Sequence, residues 1–161
     1  MCAFLYNKVM TQIEFMSEAF KQAKLAYKND EVPVGCVIVK DGKIISRAFN
    51  QKQKKNDPTS HAEIECIRKA CKKLNKKYLD DSEMYVTLEP CLMCVGAIRE
   101  SRLKKIYVGA KDPKGGYVVS KEIVLSKKEL DRYSFGYLEQ DISKLLKSFF
   151  KSKRKLPRQY K

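Results

Sequence analysis

One histidine is present in the chain, and it opens the run His61-Ala62-Glu63; a second run, Pro90-Cys91-Leu92-Met93-Cys94, follows farther on. Zinc takes neutral imidazole and thiolate, and a catalytic site uses three protein ligands and leaves the fourth position to water. His61, Cys91 and Cys94 make that set, for one Zn2+ per chain. Glu63 is then a carboxylate without an assigned partner, and it reads as the group that moves protons for a water whose pKa the metal lowers from near 16 to about 7. A carboxylate suits that relay because it acts as base and acid in turn. Two plainer readings stand beside this one. Glu63 also fits a capping-turn carboxylate, and Cys66, Cys71, Cys91 and Cys94 also make a closed structural site, although that set gives His61 and Glu63 no role.

The elements that must carry these groups follow from period and punctuation. Thr11-Gln12-Ile13-Glu14 is a capping box, and Ile13, Met16, Phe20, Ala23 and Tyr27 recur at helical spacing until Asn29. Val34 to Val39 and Lys43 to Phe49 read as two strands joined at Asp41-Gly42 by a hairpin turn. Asp57-Pro58-Thr59-Ser60 carries turn and cap signals ahead of a helix from about His61 to Leu74, so His61 falls at a helix start. Met84 to Leu88 is a short strand, and Pro90 announces a helix from about Cys91 to Glu100. Three residues apart, Cys91 and Cys94 share one helical face, and the exposed amides of a helix start favour the thiolate. Lys105 to Val108 is a further strand, parallel to the preceding one because a helix connects them. Asp112 to Gly116 is a loop, residues 118–134 give no clear period, and Leu138 to about Lys155 is an amphipathic terminal helix with a basic end. Helices on both faces of one mixed sheet follow, an α/β architecture.

At 161 residues with 43% hydrophobic content, the chain fits a single domain over 1–161. No apolar run approaches the roughly 20 residues of a membrane span, and the start lacks a charged leader with a long apolar stretch, so a cytoplasmic location is expected. The six cysteines read as reduced thiols in that setting, with Cys2, Cys36, Cys66 and Cys71 as small packing residues. A formal net charge of +15 points to a polyanion, nucleic acid first. Lysine outnumbers arginine 27 to 7, which a lysine-biased composition also produces, so a solvated surface is the alternative. Lys147, Lys151, Lys153, Arg154, Lys155, Arg158 and Lys161 crowd the end of the chain, where a basic tail fits RNA.

The His-x-Glu and Pro-Cys-x-x-Cys pair is the signature of the zinc-dependent nucleobase deaminases. The likeness extends through Glu31 to Gly35, Asn50, Asp57 to Ile64, Val86 to Ile98, Ser101-Arg102 and Gly109 to Gly116, where the chain resembles the bacterial tRNA-specific adenosine deaminase family over most of residues 12–116. That resemblance implies a three-layer cytidine-deaminase-like fold and a homodimer that converts the wobble adenosine of an arginine tRNA to inosine, gripping the anticodon loop. It makes His61, Cys91 and Cys94 the metal ligands and Glu63 the proton shuttle. It also implies Asn50 as a hydrogen-bond partner of the flipped base or its ribose, Val32 and Pro33 as pocket walls, and Asp112 as a neighbour of the nucleotide backbone. Tyr117, Arg132 and Tyr137 are candidates for stacking on loop bases, with packing as the alternative. Tyr117-Val118-Val119 and Asp131-Arg132 depart from the family's usual small residues and Asn-His pair, so contacts from that segment are not implied. Two other functions share the motif: deamination of a free base or nucleoside (cytosine, guanine, cytidine), and a non-catalytic zinc-containing RNA-binding subunit.

Overall fold

The computed structural model describes residues 9–121 and 125–154. The expectations for Cys2, Lys155, Arg158 and Lys161 lie outside those residues. Helix α1 (Gln12–Lys28) starts at the expected box: the Thr11 hydroxyl accepts from the Glu14 amide at 3.3 Å and the Glu14 carboxylate from the Thr11 amide at 2.8 Å. Strands β1 (Gly35–Lys40) and β2 (Lys43–Phe49) form the hairpin, with positive φ at both Asp41 (50°) and Gly42 (69°), as a type I′ turn demands. A polar turn of helix, α2 (Lys52–Lys55), precedes α3 (Ala62–Leu74). Then follow β3 (Ser82–Leu88), α4 (Leu92–Glu100), β4 (Lys105–Ala110), a one-turn α5 (Lys127–Leu130), β5 (Tyr133–Phe135) and α6 (Glu139–Arg154).

The sheet order is β2-β1-β3-β4-β5, antiparallel on either side of β1 and parallel from β3 through β5. Because successive strand residues face opposite ways, β1 sends Val37 and Val39 to one core and Cys36 and Ile38 to the other. Phe15, Met16 and Ala19 of α1 and Ile142 of α6 cover the first face; Ala62, Cys66 and Ala70 of α3 and Val95 and Ile98 of α4 cover the second. The expected three-layer, mixed-sheet fold is therefore present.

Differences from the sequence reading are local. α2, α5 and β5 carry too few residues for a period: Tyr133-Ser134-Phe135 shows one alternation, yet it completes the sheet by pairing in parallel with Ile106 to Val108. Cys91 lies outside its helix as the N-cap, with φ −72° and ψ 170°, so the sulfurs converge because a cap and a first-turn residue meet, and helical spacing between them is not the cause.

Candidate active site

The site stands where the starts of α3 and α4 meet at the carboxyl end of β3. His61 is the N-cap of α3 and Cys91 the N-cap of α4, yet neither side chain caps its helix. Both point instead toward each other, with Cys94 joining from the first turn of α4. The His61 Nδ1 atom is 3.6 Å from the Cys91 Sγ and 3.6 Å from the Cys94 Sγ, and the three ligand atoms lie within 4.8 Å of one another. Tetrahedral zinc with bonds of about 2.3 Å to sulfur and about 2.05 Å to nitrogen sets those atoms about 3.6 Å apart. The donor set and its spacing thus fit one zinc ion.

The approach to His61 is pinned by its own sequence. Asp57 accepts from the Thr59 amide at 2.8 Å, the Thr59 hydroxyl at 2.7 Å and the Ser60 hydroxyl at 3.0 Å, an Asx-type turn that Pro58 favours. Buried Ser60 also donates to Glu65, which pairs with Lys55 at 2.6 Å. The turn is thereby tied to both α2 and α3.

The protein's own groups set unusual proton affinities here. The Cys91 thiol is pulled down to about 4 by hydrogen bonds from Cys94 and His61, whereas Cys94 is pushed up by the thiolate beside it and by burial. The His61 imidazole is raised, chiefly by its hydrogen bond to Cys91. Glu63, only 4% exposed, is pushed up to about 7 by burial; the Cys91 charge adds to that, while its own backbone amide, His61 and the Cys94 thiol oppose it.

Glu63, His61 and Cys91 open onto a cavity of about 220 Å³ whose walls include Val32, Val34, Asn50, Lys52, Leu88 and Asp112. Three of the four expected substrate residues therefore share one cavity with the metal ligands. Pro33 is buried beside Val32 in the chain and is not part of this wall. Asn50 is buried, and its amide nitrogen donates to Glu31 at 3.3 Å. Asp112 is half-buried, its backbone amide bonded to Glu89 and its carboxylate accepting from the Lys114 amide at 3.0 Å. Tyr117, Arg132 and Tyr137 are engaged internally: Lys121 lies over the Tyr117 ring, Arg132 donates to the Leu103 carbonyl, and Tyr137 packs edge-on against Tyr107.

Sequence reasoning passed over Lys52, Glu31 and Glu89. Lys52 places a cation at the cavity, and the last two are buried carboxylates beside expected site residues. Their signal was position: Glu31 heads the Glu-Val-Pro-Val run, and Glu89 ends an apolar strand immediately before Pro90.

Residues 10–110 match the zinc-binding region of cytidine and deoxycytidylate deaminases. The chain is 46% identical over 142 residues to a tRNA-specific adenosine deaminase of Aquifex aeolicus, covering 87% of this chain and 94% of that one. It superposes with a TM-score of 0.74 at 39% identity on a structure from studies of A-to-I editing by tRNA:A34 deaminases at the wobble position, covering 82% of this chain and 98% of that one. A guanine deaminase of Bacillus subtilis is 32% identical with a TM-score of 0.64, over 94% and 99% of the two chains.

Proposed function

The chain belongs to the cytidine and deoxycytidylate deaminase family, and from that premise we propose that it converts adenosine to inosine in tRNA by hydrolysis, at the wobble position. The observation that carries this reading is the convergence of His61, Cys91 and Cys94 at zinc spacing beside buried Glu63 in one cavity. The similarity to tRNA-specific adenosine deaminases, spanning nearly the whole of both chains, selects the substrate. An arginine tRNA, met at its anticodon loop, follows from the same resemblance, and such a substrate places the enzyme in the cytoplasm.

His61, Cys91 and Cys94 hold the ion, which supplies Lewis acidity that makes water a nucleophile at neutral pH. Glu63 takes the proton that the attacking water gives up and hands it to the purine ring nitrogen, then takes the proton of the hydroxyl newly bonded to the ring carbon and delivers it to the departing amine, which leaves as ammonia. Burial raises this carboxyl and so favours the protonated form that the acid role needs, while the ion beside it favours the ionised form that the base role needs. Glu31 orients the Asn50 amide, so Asn50 presents a fixed hydrogen-bonding edge to the base or its ribose. Val32 supplies an apolar wall for the ring, and Pro33 restricts Val32 to extended backbone. Asp112 accepts a hydroxyl of the adjoining ribose.

The protein acts as a homodimer in this reading. Leu92 (48% exposed) and Met93 (37% exposed), adjacent on the first turn of α4, support that assignment, since paired apolar side chains beside an active site seek cover.

Glu63→Ala tests the assignment. The variant is expected to keep zinc and bind an anticodon stem-loop, while inosine formation, read as guanosine in sequenced tRNA, falls by about 10²-fold to 10⁴-fold or more. Full activity in that variant removes Glu63 from the mechanism. The likeness to guanine deaminase favours free bases as the second substrate class. Ammonia release from guanine or nucleosides, with none from the stem-loop, would establish that class instead.

A further inference from the structure

Glu89 is 3% exposed, follows β3 two residues before Cys91 and borders the catalytic cavity, yet its carboxylate holds a different segment. One carboxylate oxygen accepts from three successive amides, those of Val118 at 3.0 Å, Val119 at 2.7 Å and Ser120 at 2.9 Å. The other accepts from the Asp112 amide at 3.0 Å and from the Ser120 hydroxyl. Consecutive backbone amides arranged this way form a concave anion seat, here filled by the protein's own carboxylate. A Cβ added at Gly116 would overlap the Glu89 carboxyl, so the glycine is required for the backbone to wrap this closely. The wrap is closed by the Tyr117 backbone amide donating to the Pro90 carbonyl at 3.0 Å and the Glu89 backbone amide to the Ala110 carbonyl at 2.9 Å.

Residues 112–120 are thus a strap tied at both ends to one buried side chain. It borders two adjoining spaces. Asp112 and Gly115 line both the catalytic cavity and a groove of about 750 Å³, which Lys111, Pro113 and Lys114 also line and which Leu146, Phe150 and Arg154 of α6 close on its other side. Nothing else among the hydrogen bonds of the described residues fixes the Asp112 amide.

We infer that Glu89 is a positioning residue for the polynucleotide: its carboxylate holds the 112–120 strap in the register that puts Asp112 at the cavity mouth, and so sets substrate affinity apart from the chemistry at the metal. The inference rests on the tRNA reading above. The metal ligands and Glu63 sit on the starts of α3 and α4, outside the strap, which meets that segment through the Tyr117 amide on the Pro90 carbonyl, so zinc content is measured beside KM.

The test compares Glu89→Gln, Gly116→Ala and Ser120→Ala in zinc-loaded full-length protein, measuring zinc content, amide hydrogen exchange, and kcat and KM on an anticodon stem-loop. Glutamine turns an N–H2 group toward an amide that needs an acceptor, and Gly116→Ala pushes the strap off the carboxylate without touching the ligand-bearing segment. Both are expected to retain one zinc, to speed exchange at Asp112, Val118, Val119 and Ser120, and to raise KM roughly ten- to a hundredfold with a smaller fall in kcat, the loss expected for freeing a charged hydrogen-bond network. Ser120→Ala, which removes one of five bonds, should change KM by less. Unchanged exchange and KM in both variants overturn the inference. So does a loss of zinc and kcat at unchanged KM, which would mean that Glu89 acts through Cys91. Should Glu89→Gln fail to fold, Gly116→Ala decides alone. A wild-type protein inactive on the stem-loop would defeat the tRNA reading, whereas the exchange measurement still judges the strap.

Discussion

Glu63 concentrates the conflict between folding and chemistry in one side chain. Burial raises its carboxyl to about 7 from the ordinary 4.5, so the folded state prefers the protonated form. A group raised in this way contributes fully to stability below its unfolded value, and the contribution is lost as pH climbs from 4.5 toward 7. In protein stripped of metal by a chelator, Glu63→Gln is therefore expected to be more stable than the parent at pH 8, by on the order of 3 kcal/mol, and to lose that advantage near pH 4. Urea titrations at the two pH values check it; a variant less stable than the parent at pH 8 would show that the buried carboxylate is sustained by other contacts. The sulfurs add a second statement at this scale. Because the neighbouring thiolate and burial favour the protonated form of Cys94, binding of a cation to both thiolates must release a proton, and metal uptake should become tighter as pH rises. Titration with zinc between pH 6 and 8 reads this directly.

At the scale of elements, the positions of the site residues depend on how closely helices approach the sheet. A Cβ at Gly35 would overlap the Ala19 carbonyl oxygen and the Ala23 amide nitrogen, backbone atoms that cannot move aside without shifting α1. Gly35→Ala should destabilise the fold by about 3 kcal/mol, visible as a lowered denaturant midpoint. Parent-like stability would mean that α1 tolerates translation. Much of this architecture was legible in advance because it is written in periods: the capping box at Thr11, the Asp41-Gly42 turn and the apolar face of α3 each joined a local signal to the right element. The metal set was legible for a chemical reason, since one imidazole and two thiolates at those spacings have few other uses. What remained hidden has physical causes too. β5 has three residues, and a strand that short is held by its neighbour's backbone, which leaves no alternation to read. Glu89 and Glu31 were hidden because their partners are main-chain amides and an amide side chain distant in the chain. Tyr137 shows the reverse: an aromatic residue that invited a stacking role packs edge-on against Tyr107 instead.

For the whole molecule, charge is the governing quantity. With +15 formal charges, the protein should bind an anticodon stem-loop with a salt dependence set by phosphates neutralised, a slope of log affinity on log salt of about −3 to −5 for roughly four to six contacts. A slope near zero would make the lysine surplus a solvated surface. No described helix is long and apolar enough to cross a membrane.

The uncapped helix starts carry this further. His61 and Cys91 occupy the cap positions of α3 and α4, where neither makes a side-chain cap hydrogen bond. An ion that joins their side chains therefore also splices the two helix starts. A cell starved of zinc would hold a protein that is both idle and loosened at those two ends, an easier target for proteases, and the lifetime of the enzyme would follow the metal supply.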